Sequence, residues 1–290
     1  MCQLLEVSRS AYYAWLNRKP SKRELENKAI LRELVRLHHK HPTLGLDPLH
    51  QLIRPKFKAS RKRVHRLKKA AKIYSIRHKA YKVTTNSKHN NPIAPNLLGK
   101  VDGKRFRATS PNQAWTSDIT YIPTGEGWLY CAIIKDLFTK KVVGYATSHR
   151  INTQLCLDAL DMAVFRQRQM GNLKHLIFHS DRGSQYASYA FVNALERYGF
   201  KQSMSRKGNP YDNAVAENFF SCLKCECIYL NHFKTRDAAR LAIFSYIEVF
   251  YNRVRPHSGI GWANPIDFEC RYINQSYQSE DLGVMKSKVA

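Results

Sequence analysis

Apolar residues change their spacing along this chain. Up to about residue 73 they recur three and four apart. Ala11, Tyr12 and Trp15 follow Ser8, and Ile30, Leu31, Leu34, Val35 and Leu37 give one apolar side to a segment from about Lys22 to His39. This predicts two helices, the first capped by Ser8 and broken at Pro20-Ser21, the second ended by His41-Pro42-Thr43-Leu44-Gly45. A short helix around Pro48–Ile53 and a Ser60-capped helix to about Ile73 are expected next. Short helix, turn, basic helix is a helix-turn-helix pattern. Residues 83–110 keep no period and are rich in Asn, Pro, Lys and Thr, as a linker or extended arm would be.

From about Ala114 the pattern becomes that of strands. Trp115–Ile122, Trp128–Asp136 and Lys141–Ser148 are separated by short turns and predict an antiparallel meander. A helix over Thr153–Gln169, a strand over Leu176–His179, a helix over Tyr189–Tyr198 and a strand over Phe200–Met204 follow. A helix capped by Asp212 and reaching about Tyr229, then a last helix over Thr235–Tyr251, precede an irregular tail with Pro256 and Pro265. Three antiparallel strands followed by strand–helix alternation is an α/β layout of the ribonuclease-H type. The expected organisation is an all-α module over 1–82, a linker or arm over 83–108, a core over 109–270 and a tail over 271–290.

Charge sharpens this division. The chain carries 48 Lys and Arg against 22 Asp and Glu, a formal +26. Residues 1–110 hold 27 basic and 6 acidic residues, so +21 of the excess lies there and only +5 in residues 111–290. Such a balance suits a polyanion and a salt-dependent affinity. Between Arg54 and Lys72, 10 of 19 residues are basic and none is acidic, while Val64, Leu67 and Ala71 keep an apolar stripe. A solvated helix face usually interleaves opposite charges, so this segment reads as a nucleic-acid surface. Its candidate contacts are Arg61, Lys62, Arg63, Arg66, Lys68 and Lys69.

Seven scattered cysteines, an odd number, favour reduced thiols over a disulfide framework. No apolar run is long enough to span a membrane, and the first residues do not resemble a secretory signal. The protein is expected to be soluble and cytoplasmic, at the nucleoid when bound to DNA, with no membrane partner.

Three acids stand out: Asp118 in Trp115–Tyr121, Asp181 in His179–Ser184 and Glu217 in Asp212–Asn218. Asp118 is placed in mid-strand among apolar and β-branched neighbours, awkward for a carboxylate without a cation. Asp181 ends its strand and opens onto Gly183. Glu217 lies on a helix 36 positions further on. If the first and fourth strands are neighbours, these acids converge on one sheet edge and can hold two divalent cations about 3.5–4 Å apart, as transfer at a phosphodiester requires. Each acid alone reads equally well as a surface charge. Asp136, Asp158, Asp161, Asp212 and Glu226 are rival acids. Turn capping accounts for Asp136, and Asp212 suits an N-cap. Lys224, two helical turns beyond Glu217 on the same face, is placed to meet a phosphate. Cys222-x-x-Cys225-x-Cys227 with His232 invites a zinc reading, but two of these cysteines fall on the helix as small packing residues, and His38, His39 and His41 lack a cysteine pair nearby. Zinc is not expected.

These motifs, with Ser205–Ala214 and the closing Arg255-Pro256-His257-Ser258-Gly259-Ile260 and Asn264-Pro265, resemble the DDE transposases of bacterial insertion sequences. The likeness is to the group with a retroviral-integrase-like core encoded in two overlapping frames, and covers about residues 60–270. It implies a ribonuclease-H-like core that cuts and joins DNA strands during transposition. Asp118, Asp181 and Glu217 are then the metal-binding triad for two Mg2+ (or Mn2+) per site, and Lys224 contacts the element end. The implied partners are duplex DNA at element ends and target, further copies of the chain on DNA, and the first-frame product, separate or fused. The family's usual Tyr-Gly-Tyr-Arg-Arg-like stretch is replaced here by Leu44-Gly45-Leu46-Asp47-Pro48-Leu49-His50. Val7–Tyr13 resembles the entry to the second frame, whose first-frame companion normally carries the end-binding helices and zipper. A plain ribonuclease-H-type nuclease and a DNA-binding regulator with an inactive core are the rivals. The first leaves the basic helical module unexplained, the second the intact set of acids.

Overall fold

The computed structural model describes residues 2, 4, 6–76, 92–98, 100–101, 104–170, 173–206 and 214–275. The chain divides into two compact units, Met1–Ile76 and Arg77–Ala290.

The first unit is helical: α1 Arg9–Leu16, α2 Lys22–Lys40, α3 Leu46–Phe57 and α4 Arg61–Ala70. Ser8 caps α1, and a Ser21/Glu24 capping box starts α2, with both reciprocal hydrogen bonds formed. Its core is small: Ile30, Leu34 and Leu37 of α2 with Leu49, Ile53 and Val64. Helix α3 is twice the length expected from Pro48–Ile53, because Pro48 falls in the first turn, where a backbone N–H has no helical acceptor in any case. Ser60 caps α4 as expected, and α4 ends at Ala70, with Lys72 in the left-handed region at φ 53°.

In the second unit, β1 Lys100–Val101 and β2 Lys104–Arg105 form a short ribbon within the stretch read as a linker. The main sheet comprises β3 Ala114–Thr124, β4 Gly127–Asp136, β5 Val142–Ser148, β6 Ile177–Ser180 and β7 Lys201–Met204, in the order β5-β4-β3-β6-β7. The meander β3–β4–β5 is antiparallel, and β6 and β7 add in parallel beyond β3. Helices α5 Thr153–Gln167, α6 Tyr189–Arg197, α7 Ala214–Glu226 and α8 Arg236–Phe244 complete the core. A π-helical turn, Ser245–Tyr251, continues α8.

Alternation along β3 and β4 sends side chains to two different cores. Trp115, Ala132 and Ile134 pack with Leu155, Ala159 and Leu160 of α5 and Phe191 and Leu195 of α6. Ile122, Leu129, Cys131 and Ile133 pack with Phe219 and Leu223 of α7 and Ala239 and Ile243 of α8. Gly144 lets α5 lie directly on the sheet: a Cβ there would sit 2.4 Å from the Ala159 carbonyl oxygen. The tail is a correction to the irregular ending expected, since residues 265–275 are helical. Asn264 caps that helix, its side chain accepting from the Asp267 N–H at 2.8 Å. The expected cap Asp212 lies outside the described residues.

Candidate active site

The parallel pairing of β3 with β6 is short, running only Ala114↔Ile177, Trp115↔Phe178 and Thr116↔His179. Beyond it the sheet splits. Asp118 lies two residues past Thr116 and Asp181 two residues past His179, so the register puts both acids level at the mouth of the split. Carboxyl ends of parallel strands beside such a change of direction are where open α/β sheets bind ligands. Glu217 comes to the same place in the first turn of α7. Asp118 interacts electrostatically with Asp181, Glu217 and Lys224.

The electrostatics there are unfavourable to a charged Asp118. Burial pushes the Asp118 carboxyl up to about 8, and neighbouring Asp181 and then Glu217 add to it; the Ile119 N–H and Lys224 oppose the shift. That N–H donates to Asp118 Oδ1 at 2.8 Å. Asp181 Oδ1 accepts the Gly183 N–H at 2.9 Å, and a Cβ on Gly183 would stand 3.0 Å from that same oxygen. Lys224 is half-buried, its Nζ 4.9 Å from the centre of the Tyr121 ring. Burial lowers its ammonium pKa while Asp118 raises it.

Neighbouring side chains hold the strand ends in place. Buried His179 contacts Ser203 Oγ through Nδ1 at 2.8 Å and Ser205 Oγ through Nε2 at 3.1 Å. Leu97 N–H donates to Ser203, and Ser205 Oγ donates to the Ser180 carbonyl. The chain of donors closes if His179 is neutral with its proton on Nε2, a tautomer assigned from this network. Tyr186, whose hydroxyl meets Ser117 Oγ at 2.8 Å, braces β3 from the other face. Below α7, Arg255 forms a forked ion pair with Glu226, through Nη2 at 2.7 Å and Nε at 2.9 and 3.1 Å, and Tyr246 OH donates to Glu226 at 2.9 Å. In the sequence Glu226 reads only as a rival acid. Its partner is 29 positions away, and no local pattern announces that pairing.

Asp136 is occupied as a turn cap, accepting from Asn112, Phe138 and Thr139 N–H groups. Among the cysteines, Cys222 Sγ lies 3.4 Å from Arg255 Nη2, and Cys227 is buried beneath α8. Among the described residues no three or more His, Cys, Asp and Glu side chains are already gathered about one point as a metal site, and no helix is long and apolar enough to cross a membrane.

In the first unit, Lys62, Arg66 and Lys69 are exposed along α4. Arg61 of α4 pairs with Asp47 of α3, both side chains exposed. Arg63 turns inward instead, bonding Glu26 at 2.8 Å and Asn27 at 2.8 Å on α2. Lys68 reaches Ser75 Oγ at 3.4 Å.

Residues 108–210 match the integrase core domain family, and residues 198–265 match a second integrase core domain family. The fold and these matches define the class: an enzyme of the polynucleotidyl-transferase type built on an integrase catalytic core. The chain is 42% identical over 274 residues to the insertion element IS600 uncharacterized 31 kDa protein of Shigella sonnei, covering 94% of this chain and 98% of that one. It is 36% identical over 281 residues to transposase InsF for insertion sequence IS3A of Escherichia coli K12, covering 93% and 92%. Among solved structures, the HTLV-2 integrase catalytic core domain in complex with magnesium is similar at 18% identity and a TM-score of 0.38, over 56% of this chain and 98% of that one. The chain belongs to the IS3 family of insertion-sequence transposases.

Proposed function

We propose that this chain cuts and joins DNA strands at phosphodiesters, with Asp118, Asp181 and Glu217 as its catalytic acids. The observation that carries the reading is the pair of aspartates level at the split between β3 and β6, faced by Glu217 of α7, with Asp118 driven toward protonation. Carboxylate oxygens crowded at the mouth of a cleft, with Asp118 and Asp181 half-buried, are hard donors that suit magnesium or manganese. Two such ions, held by the three acids, would supply the positive charge that stabilises attacking and leaving oxygens in line. Gly183 keeps room for the Asp181 carboxylate, and its N–H orients that group. Lys224, held over Tyr121 beside Asp118, receives a phosphate of the element end.

The first unit binds duplex DNA through the exposed cations Lys62, Arg66 and Lys69 of α4, with Arg61 available because an exposed ion pair is weak. Arg63 and Lys68 belong to its internal framework. Further copies of the chain on DNA, and the first-frame product as a separate chain or a fusion, are proposed partners on family membership alone.

The test is strand transfer by Asp118→Asn and Asp181→Asn on duplexes carrying candidate terminal repeats, with and without magnesium. Both variants should fold and bind DNA but lose joining. Near-normal joining by either would sink the metal-triad assignment.

A further inference from the structure

Beyond Lys224, the surface next to the acids turns aromatic. Tyr121 stands three residues past Asp118 on β3, about 10 Å along the strand. Trp128 meets its ring edge-on, with centroids 5.0 Å apart at 85°. Tyr229, just after α7, lies near enough to Tyr121 to feel its charge. Trp128 is 49% exposed and Tyr229 40% exposed. One exposed aromatic is ordinary. Two that flank a third, itself lying under a lysine ammonium beside the acids, are a different matter.

The backbone carrying Trp128 is also braced. The Gly125 N–H donates to the Phe233 carbonyl at 2.9 Å, and the Glu126 carboxylate accepts the Arg236 N–H at 2.8 Å. Arg236 Nε donates to the Trp128 carbonyl at 3.2 Å. The hairpin between β3 and β4 is thus tied to the start of α8, with Gly127 at φ 97° making the turn. An indole kept half in water on a fixed platform can bind a flat partner at little cost in ordering.

Resting on the strand-transfer reading above, we propose that Trp128 and Tyr229, flanking Tyr121, form a ledge on which unpaired nucleobases stack beside the reacting phosphodiester. A cation for phosphates interleaved with rings for bases is the surface chemistry of single-strand binding. Lys224 connects the two places, since it interacts electrostatically with Asp118 and lies over the Tyr121 ring. The bases taken up are therefore those next to the cut, opened from the duplex. No base identity is read, because every base offers a π face.

The experiment uses the full chain in EDTA and a duplex with a short single-stranded tail containing aminopurine, whose fluorescence is quenched by stacking. The parent and Trp128→Phe should quench the tail. Trp128→Ala and Tyr229→Ala should quench it less and bind it roughly ten-fold more weakly, while a blunt duplex is bound as by the parent. Equal quenching by Trp128→Ala and the parent, or an equal loss on tailed and blunt duplexes, overturns the ledge. So does a change of oligomeric state in Trp128→Ala with quenching intact, which would make the patch an interface between copies. Cleavage of the same duplexes in magnesium separates the two readings. Trp128-dependent quenching without cleavage keeps the ledge and removes the proposed chemistry; cleavage without it does the reverse.

Discussion

Replacing Glu226 by Leu should cost this protein a large part of its stability, and replacing Arg255 by Met as well should restore most of it. Glu226 accepts three bonds from Arg255 and one from Tyr246. The two side chains are only 10% and 16% exposed. With the carboxylate gone, the guanidinium keeps its charge, because arginine does not deprotonate in proteins. Its remaining polar neighbours are Cys222 Sγ at 3.4 Å and His257 Nδ1 at 3.5 Å, and Lys135 lies close enough to be disfavoured by its charge. A buried cation left without its anion costs about 3–5 kcal/mol, against a total stability on the order of 5–15 kcal/mol. An apolar pair of similar volume removes the uncompensated charge and should come within about 1–2 kcal/mol of the parent. Urea melts of the parent, both single variants and the double variant, followed by far-UV circular dichroism, give the coupling energy. The reasoning is refuted if Glu226→Leu costs under about 1 kcal/mol, or if the double variant loses the sum of the two singles. Glu226 follows Glu217 by nine positions, two and a half turns, so the pair anchors the side of α7 turned away from the acids. Strand transfer should fall in the single variants and recover in part in the double.

Other outcomes are open to measurement. Gly183→Ala places a Cβ 3.0 Å from Asp181 Oδ1, and a displaced carboxylate should lower strand transfer roughly 100-fold with the melting temperature nearly unchanged; transfer within two-fold of the parent would show that the group moves freely. Lys135, 3% exposed between the Phe219 and Tyr251 rings, has its pKa lowered by burial to about 7. Between that value and the ordinary lysine range the unfolded chain holds the extra proton, so this group makes stability rise from about pH 7 to pH 10. Lys135→Met should therefore be more stable than the parent at pH 7, by a gain on the order of a few kcal/mol that shrinks toward pH 10; a gain independent of pH counts against it. Combined Lys62→Ala, Arg66→Ala and Lys69→Ala should weaken duplex binding and flatten its salt dependence, the logarithmic slope falling by nearly one for each phosphate no longer neutralised. Arg63→Ala should instead lower the melting temperature, and the opposite pattern would exchange their roles.

Much of this molecule is legible from local pattern. Short apolar runs bounded by turn residues mark all five strands of the main sheet to within a residue or two, since strands covered on both faces need apolar side chains on both. Helix caps at Ser8 and Ser60 are equally local. The irregular ending expected after Tyr251 holds to residue 264 and fails over 265–275, because Pro265 looks like a breaker, whereas proline at the start of a helix loses nothing. The length of α3 is underestimated for the same reason at Pro48.

The site divides along the same line. Spacing and motif mark Asp118, Asp181, Glu217 and Lys224 as a set, because each acid alone reads equally well as a surface charge and only their joint placement on two strand ends and a helix stands out. Tertiary structure alone decides how they are arranged. The three-residue pairing of β3 with β6 sets the two aspartates level, and burial beside Asp181 pushes the Asp118 carboxyl toward protonation. It also turns Arg63 inward to Glu26, gives Glu226 to Arg255, and sets Tyr121 between Lys224 and Trp128. The physical reason is range. Periodicity and capping act within a turn or a pleat, whereas the partner of a long polar side chain is chosen by whichever distant element packs over it.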